Sequence, residues 1–180
     1  MRLFVGIPLA AAVVDELAKA SIGLRSGGYG LRWTARESWH ITLQFLGNTS
    51  PEQYGCVVAR LRELHSPAVP VRLEELGCFE RSGVFFAGVK VSPELQLLQR
   101  QVSEATALCG FAFEARPYQP HITLARSKDK SRQHGMDELK AKIRRQPEFT
   151  RFVAREFVLY QSFLGPGGSR YEVRERFSLA

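Results

Sequence analysis

His40-Ile41-Thr42-Leu43 returns letter for letter as His121-Ile122-Thr123-Leu124, 81 residues later in a chain of 180. Around the first copy, residues 39–47 alternate with a period of two. Trp39, Ile41, Leu43 and Phe45 fall on one face, and His40, Thr42 and Gln44 on the other. That is the pattern of a half-buried strand with an apolar back and a polar front. In such a strand the histidine and the threonine two residues on project to the same side, roughly 6.6 Å apart along the backbone. One phosphoryl oxygen fits between them.

Outward from the motifs, residues 2–9 read as a strand running into a helix at 11–22, with Val13, Val14 and Leu17 at helical spacing. Ser21 to Gly30 supplies the stop and a glycine-rich loop, and 31–34 is a short strand. The next helix spans 51–65, opened by Ser50-Pro51-Glu52-Gln53, a capping serine with proline in the first turn and glutamine three residues on. Residues 69–76 and 83–91 read as strands, and 93–109 as a helix with Leu95, Leu98, Val102, Ala105 and Leu108 on one side. Beyond the second motif come a helix at 135–145 and strands at 150–162 and 170–179, the latter pair joined by Gly165-Pro166-Gly167-Gly168.

The order strand, helix, strand, His-strand, helix, strand thus occurs roughly twice. It predicts an α+β fold: two pseudo-symmetric lobes of mainly antiparallel sheet with outer helices and a central cleft, residues 1–180 forming a single two-lobed domain. A pseudo-two-fold axis between the halves brings His40 and His121 face to face.

Two imidazoles and two hydroxyls around one polar void suit transfer at a tetrahedral phosphorus. One imidazole, neutral, takes a proton from the attacking oxygen; the other, protonated, gives one to the leaving oxygen. The threonines donate to nonbridging oxygens, where charge sits during the reaction. Other chemistries fit less well. Two histidines lack the third and fourth ligands of a zinc site, and His65 and His134 lie in charged, helix-like surroundings, so no metal and no cofactor is expected. No Gly-x-Ser-x-Gly elbow exists, and neither glycine run ends in the Gly-Lys-Ser/Thr of a phosphate-cradling loop.

Composition sets the wider bounds. With 44% hydrophobic residues the chain can bury a real core. The apolar run at the N-terminus is broken by Pro8 too early for a signal peptide, and no later stretch is long enough for a bilayer, which makes the cytoplasm the default. The formal charge of +7 is concentrated in residues 116–151, where ten Lys/Arg stand against four Asp/Glu, and this favours an anionic partner. Cys56, Cys78 and Cys109 have no paired or metal-ligand spacing and read as small, reduced core residues.

The twin words resemble the His-x-Thr-x motifs of the 2H phosphoesterase superfamily. Arg2-Leu3-Phe4-Val5-Gly6-Ile7-Pro8, Trp33, Phe45-Leu46-Gly47, Leu76-Gly77, Pro120 and Arg126 are similar to its bacterial and archaeal RNA 2′,3′-cyclic phosphodiesterase branch, also called 2′-5′ RNA ligase. The resemblance covers nearly the whole chain. It implies a bilobal fold with both motifs in a central cleft. It also implies metal-independent hydrolysis of RNA or nucleoside 2′,3′-cyclic phosphate to the 2′-phosphomonoester, with reversible 2′-5′ RNA ligation when a ribose hydroxyl replaces water as nucleophile. On this resemblance His40 is the proton donor and His121 the proton acceptor, while Thr42, Thr123 and Arg126 bind phosphate. The partner it implies is RNA with a 2′,3′-cyclic phosphate terminus, tRNA fragments included, acted on by a monomer. Alternation puts Phe45 on the core face and outside any base-stacking set. A protein that grips a terminal RNA phosphate without turning it over is the other reading, and activity on a cyclic nucleotide separates the two.

Overall fold

A computed structural model of the chain describes residues 1–27, 30–128, 133–143 and 145–180, without the side chains of Gln133 and His134. In chain order the elements are β1 (Arg2–Pro8), α1 (Ala11–Arg25), β2 (Leu31–Trp33), a 3-10 turn (Arg36–Ser38), β3 (His40–Asn48), α2 (Pro51–Arg62), β4 (Val69–Val71), β5 (Leu73–Phe79) and β6 (Val84–Val89). They continue as α3 (Pro93–Ala107), β7 (His121–Ser127), α4 (Gln133–Lys142), β8 (Phe152–Ala154), β9 (Glu156–Gly165) and β10 (Gly168–Ser178).

Local chemistry sets several boundaries. At α2 the Ser50 hydroxyl accepts from the Gln53 amide while the Gln53 side chain accepts from the Ser50 amide, a reciprocal cap worth about 1 kcal/mol. Ser92 does the first half of this for α3, accepting from the Leu95 amide at 3.1 Å. Ser21 does not stop α1: its hydroxyl donates to the Leu17 carbonyl at 2.6 Å, which satisfies it inside the helix, and the helix runs on to Arg25. Gly28 and Tyr29, in the expected glycine-rich loop, lie outside the described residues.

Two expected strands are each broken in two. The 69–76 run divides at Arg72, so that β4 pairs with β8 in a two-stranded ribbon while β5 pairs with β6. The 150–162 run divides at Arg155, whose carbonyl is taken by the Leu179 amide at 2.8 Å. Both breaks let one continuous β-type sequence serve two sheets.

Two four-stranded antiparallel sheets carry the lobes, in the orders β10-β9-β1-β3 and β2-β7-β6-β5. Each exchanges a strand with the other half of the chain: β9 comes from the second half to flank β1, and β5 from the first half to flank β6. Likewise β2 crosses over to lie beside β7. The corresponding crossover from the second half, residues 111–118, forms no strand. It runs along β3 through single contacts instead, with the Gln44 amide donating to the Ala112 carbonyl at 3.4 Å and the Tyr118 hydroxyl to the Thr42 carbonyl at 2.9 Å.

One continuous cluster of buried side chains threads both lobes, with Ile41, Val57, Leu95, Phe85, Ile122, Leu124, Leu139 and Phe157 at 0–1% exposure. Each contributes about 1.5–3 kcal/mol through removal of apolar surface from water. Contrary to the expectation of three reduced cysteines, two of them are joined. Packing of α2 on α3 brings the Cα atoms of Cys56 and Cys109 to 5.8 Å, and the two form a disulfide. Cys78 is free and half-buried, and burial pushes its thiol pKa up. No helix among the described residues is long and apolar enough to cross a membrane.

Candidate functional site

His40 and His121 open their strands in the same way. Nδ1 of His40 lies 2.7 Å from the Ser38 carbonyl, and Nδ1 of His121 lies 2.8 Å from the Gln119 carbonyl, each two residues back. A carbonyl only accepts, so Nδ1 carries the proton and Nε2 of the neutral ring is left as the acceptor. Nε2 of His40 is 3.1 Å from the Thr42 hydroxyl, which donates to it. Thr123 stands on the His121 face, half-buried like Thr42.

Aromatic rings wall both imidazoles. His40 packs on Phe4 at 4.6 Å between centroids and meets Tyr171 edge-on at 5.2 Å, with Tyr160 at 5.5 Å. His121 meets the edges of Phe79 and Phe86, at 4.9 and 5.6 Å, which are themselves stacked at 4.1 Å. Two glycines make the packing possible. A Cβ on Gly6 would come 2.8 Å from the Ile41 carbonyl oxygen, and one on Gly77 would come 3.0 Å from the Phe86 ring.

This burial governs the protonation states. Desolvation lowers the His40 pKa to about 4 against the opposing effect of the Ser38 hydrogen bond, and the nearby charges of His121 and Arg126 lower it further. His121 is lowered too, first by desolvation and then by Arg126, with the Gln119 bond opposing. Both rings are therefore neutral at pH 7 in the free protein. A proton on His121 would disfavour one on His40, and the Arg126 charge disfavours protonation of both rings.

The strands that carry the motifs are not regular, and this overturns one sequence reading. In the β1–β3 ladder Gly6 stands opposite Thr42 but Val5 opposite Gln44, which leaves Leu43 as an extra residue. In the β6–β7 ladder Phe86 stands opposite Thr123 but Phe85 opposite Ala125, which leaves Leu124 as the extra one. Each bulge falls on the leucine of a His-Ile-Thr-Leu word and inverts the alternation beyond it. Gln44 is consequently buried, where it accepts from the Ser103 hydroxyl of α3. Phe45 turns outward, 68% exposed, with its ring 5.8 Å from that of Phe4 on the histidine side. The alternation that placed Phe45 in the core fails at Leu43.

Phe45 is thus the site residue that pattern reading missed. The signal was Leu46, an apolar residue out of phase with Leu43 and 9% exposed. The same inversion in β7 brings Arg126, five residues past its histidine, to the position that Phe45 holds past His40. At equivalent positions the two motif strands thus present an aromatic ring and a guanidinium.

Arg126 is at the site, Arg116 is paired with Glu114, and Lys140 is paired with Glu80. Lys130, Arg132 and Arg144 lie outside the described residues, as does the side chain of His134. At the Gly88 end, beside Phe86, a groove of about 880 Å³ is lined by Arg72 and Arg151 but also by Glu74, Glu75 and Glu148. His65 is exposed; its Nδ1 lies 2.9 Å from the Glu63 carbonyl, and its own carbonyl accepts from the Gln101 side chain at 3.3 Å.

Comparison with known proteins agrees with this geometry. Residues 8–163, which hold both motifs, match the model of the 2′-5′ RNA ligase superfamily. An RNA 2′,3′-cyclic phosphodiesterase of Archaeoglobus fulgidus is 30% identical over 177 residues, 96% of this chain and 97% of that protein. One from Geobacillus stearothermophilus is 33% identical over 128 residues, where the alignment spans 68% of this chain but only 41% of the longer relative. Among solved structures, Escherichia coli LigT complexed with 3′-AMP superposes with a TM-score of 0.83 at 27% identity, covering 99% of this chain and 97% of that one. With two lobes, a shared cleft and both histidine words inside the matched span, this chain belongs to the 2′-5′ RNA ligase superfamily.

Proposed function

We propose that this chain, working as a single two-lobed monomer, hydrolyses RNA ending in a 2′,3′-cyclic phosphate to the 2′-phosphomonoester. What supports the reading is the pair of imidazoles with accepting Nε2 atoms, one from each lobe, each held through Nδ1 by the carbonyl two residues back. The relatives named RNA 2′,3′-cyclic phosphodiesterase supply the substrate class.

In this reaction His121 takes the proton of the attacking water and His40 delivers one to the departing 3′-oxygen. In-line displacement puts attacking and leaving oxygens on opposite sides of phosphorus, which is why the two walls of a cleft divide the work. The acid acquires its proton only with substrate present: the bound phosphate anion replaces the lost hydration and favours imidazolium. Thr42 and Thr123 donate to the nonbridging oxygens, Arg126 neutralises the anion, and the exposed Phe45 ring stacks the terminal base. Ligation is the same displacement with a ribose hydroxyl in place of water as the nucleophile: the 3′-oxygen again departs with a proton from His40, and the product is a 2′-5′ linkage. A substrate such as a tRNA fragment fits a cytoplasmic setting, while the Cys56–Cys109 bond pulls against that compartment.

The test is incubation of the protein, in EDTA, with an RNA oligomer bearing a 2′,3′-cyclic phosphate, and identification of the product isomer. A 2′-phosphate is expected. A 3′-phosphate, or loss of turnover on chelation, contradicts the reading. Binding of the oligomer without turnover returns the protein to a gripper of RNA ends.

A further inference from the structure

Arg32 and Arg126 stand directly opposite one another on β2 and β7. Side chains so placed share one face of a sheet, here the face that carries His121 and Thr123, and like charges in that position repel. Neither arginine takes part in an ion pair among the described residues. Arg32 does not turn away from the cleft. Its Cδ and Nε atoms lie 3.9 Å from the Cβ position of Gly168, at the tip of the β9–β10 hairpin, so the side chain spans from the lobe of His121 to that of His40. The two guanidiniums put fixed positive charge at one end of the cleft, with no ion-pair partner for either among the described residues. The groove at the Gly88 end has three glutamates against two arginines among its lining residues, a net negative charge.

We infer that Arg32 binds the phosphodiester on the 5′ side of the substrate's terminal nucleotide, and so selects an RNA chain over a free nucleoside cyclic phosphate. This rests on the activity proposed above and adds to it a direction for the chain. With the cyclic phosphate between the motifs, the rest of a polyanion leaves over the cationic end and not past the glutamates. Arg126 lies between the histidines and Arg32 and can serve either phosphate, whereas Arg32, one strand further out, faces only the second. A guanidinium suits this task because its donors form a rigid fork that matches two oxygens of one phosphate.

The experiment compares Arg32→Gln and Arg32→Lys with wild type on two substrates, a nucleoside 2′,3′-cyclic phosphate without a 5′-phosphate and a dinucleotide ending in the same group. The readout is the ratio of kcat/KM for dinucleotide over nucleoside. Loss of a charge-assisted bond should lower that ratio roughly tenfold or more in Arg32→Gln, mainly through KM, with Arg32→Lys in between. The salt dependence of KM for the dinucleotide should also become shallower, by about one in the log–log slope. An unchanged ratio, whether because both substrates suffer equally or because neither does, overturns the inference. If wild type hydrolyses neither substrate, the proposed activity fails. Affinities of the same three proteins for the 2′-phosphorylated dinucleotide and nucleoside then decide the role of Arg32 by the same ratio.

Discussion

The Thr42 hydroxyl donates across 3.1 Å to Nε2 of His40, a ring whose other nitrogen is held by the Ser38 carbonyl. The hydroxyl and the reactive nitrogen therefore point at the same small volume before any substrate arrives. Replacing Thr42 or Thr123 by valine keeps the branched shape and removes the donor. Each change should lower kcat on a cyclic nucleotide by about 10²-fold, as for loss of one oxyanion donor, while the thermal midpoint stays near that of wild type. Undiminished turnover in both variants would remove the threonines from the chemistry.

Phe45 should act in binding. Its ring is largely exposed, so Phe45→Ala has little to unpack, and a base–aromatic stack is worth about 1–3 kcal/mol. A rise in KM of roughly tenfold, with the unfolding curve unmoved, is expected from steady-state kinetics and a thermal melt. A large drop in stability with KM unchanged would return Phe45 to a packing role.

What the sequence carried, and where it stopped, follows from the range of each signal. The motif strands and the helix starts at Ser50 and Ser92 are local patterns, and they appear in the fold as read; the repeat of the strand–helix order is incomplete, since residues 111–118 form no strand. The side of the sheet taken by Gln44, Phe45 and Arg126 depends on a bulge, and a bulge depends on how a strand pairs with a neighbour far away in sequence. Alternation assumes regular pairing, so it held up to Leu43 and failed beyond it. The breaks at Arg72 and Arg155 have a similar origin, since a run of β-type residues does not say which sheet each half will join. The Cys56–Cys109 pairing needed the packing of α2 on α3, which no spacing reveals.

That disulfide makes its own prediction. It closes a loop of 53 residues, and removing it should cost about 4 kcal/mol on the chain-entropy model. Urea unfolding with and without reductant, and of Cys56→Ser, should show the loss. Coincident curves under oxidising and reducing conditions would mean that the two sulfurs are not joined in solution.

Acid should weaken the fold through His40. The folded ring stays neutral down to about pH 4, whereas an unfolded histidine takes up a proton at about 6.5. Between these values the unfolded state binds more protons, so the stability is fully present above pH 6.5 and is lost as pH falls toward 4, by about 3 kcal/mol in total. His121, lowered in the same direction, adds to the loss. Urea midpoints at pH 7.5 and 4.5 should therefore fall further for wild type than for His40→Asn. Parallel losses would show that His40 is not desolvated.

The division of labour between the two histidines is the centre of the account, and leaving-group dependence tests it most directly. A nitrophenolate departs with little help from an acid, while the 3′-oxygen of a ribose needs a proton. The measurement is kcat/KM of His40→Ala and His121→Ala on a nitrophenyl phosphodiester and on a nucleoside 2′,3′-cyclic phosphate. The account predicts that His40→Ala loses far less on the nitrophenyl ester than on the cyclic nucleotide, and that His121→Ala loses alike on both. Selective rescue of His121→Ala would reverse the roles, and rescue of neither would contradict a one-acid, one-base mechanism.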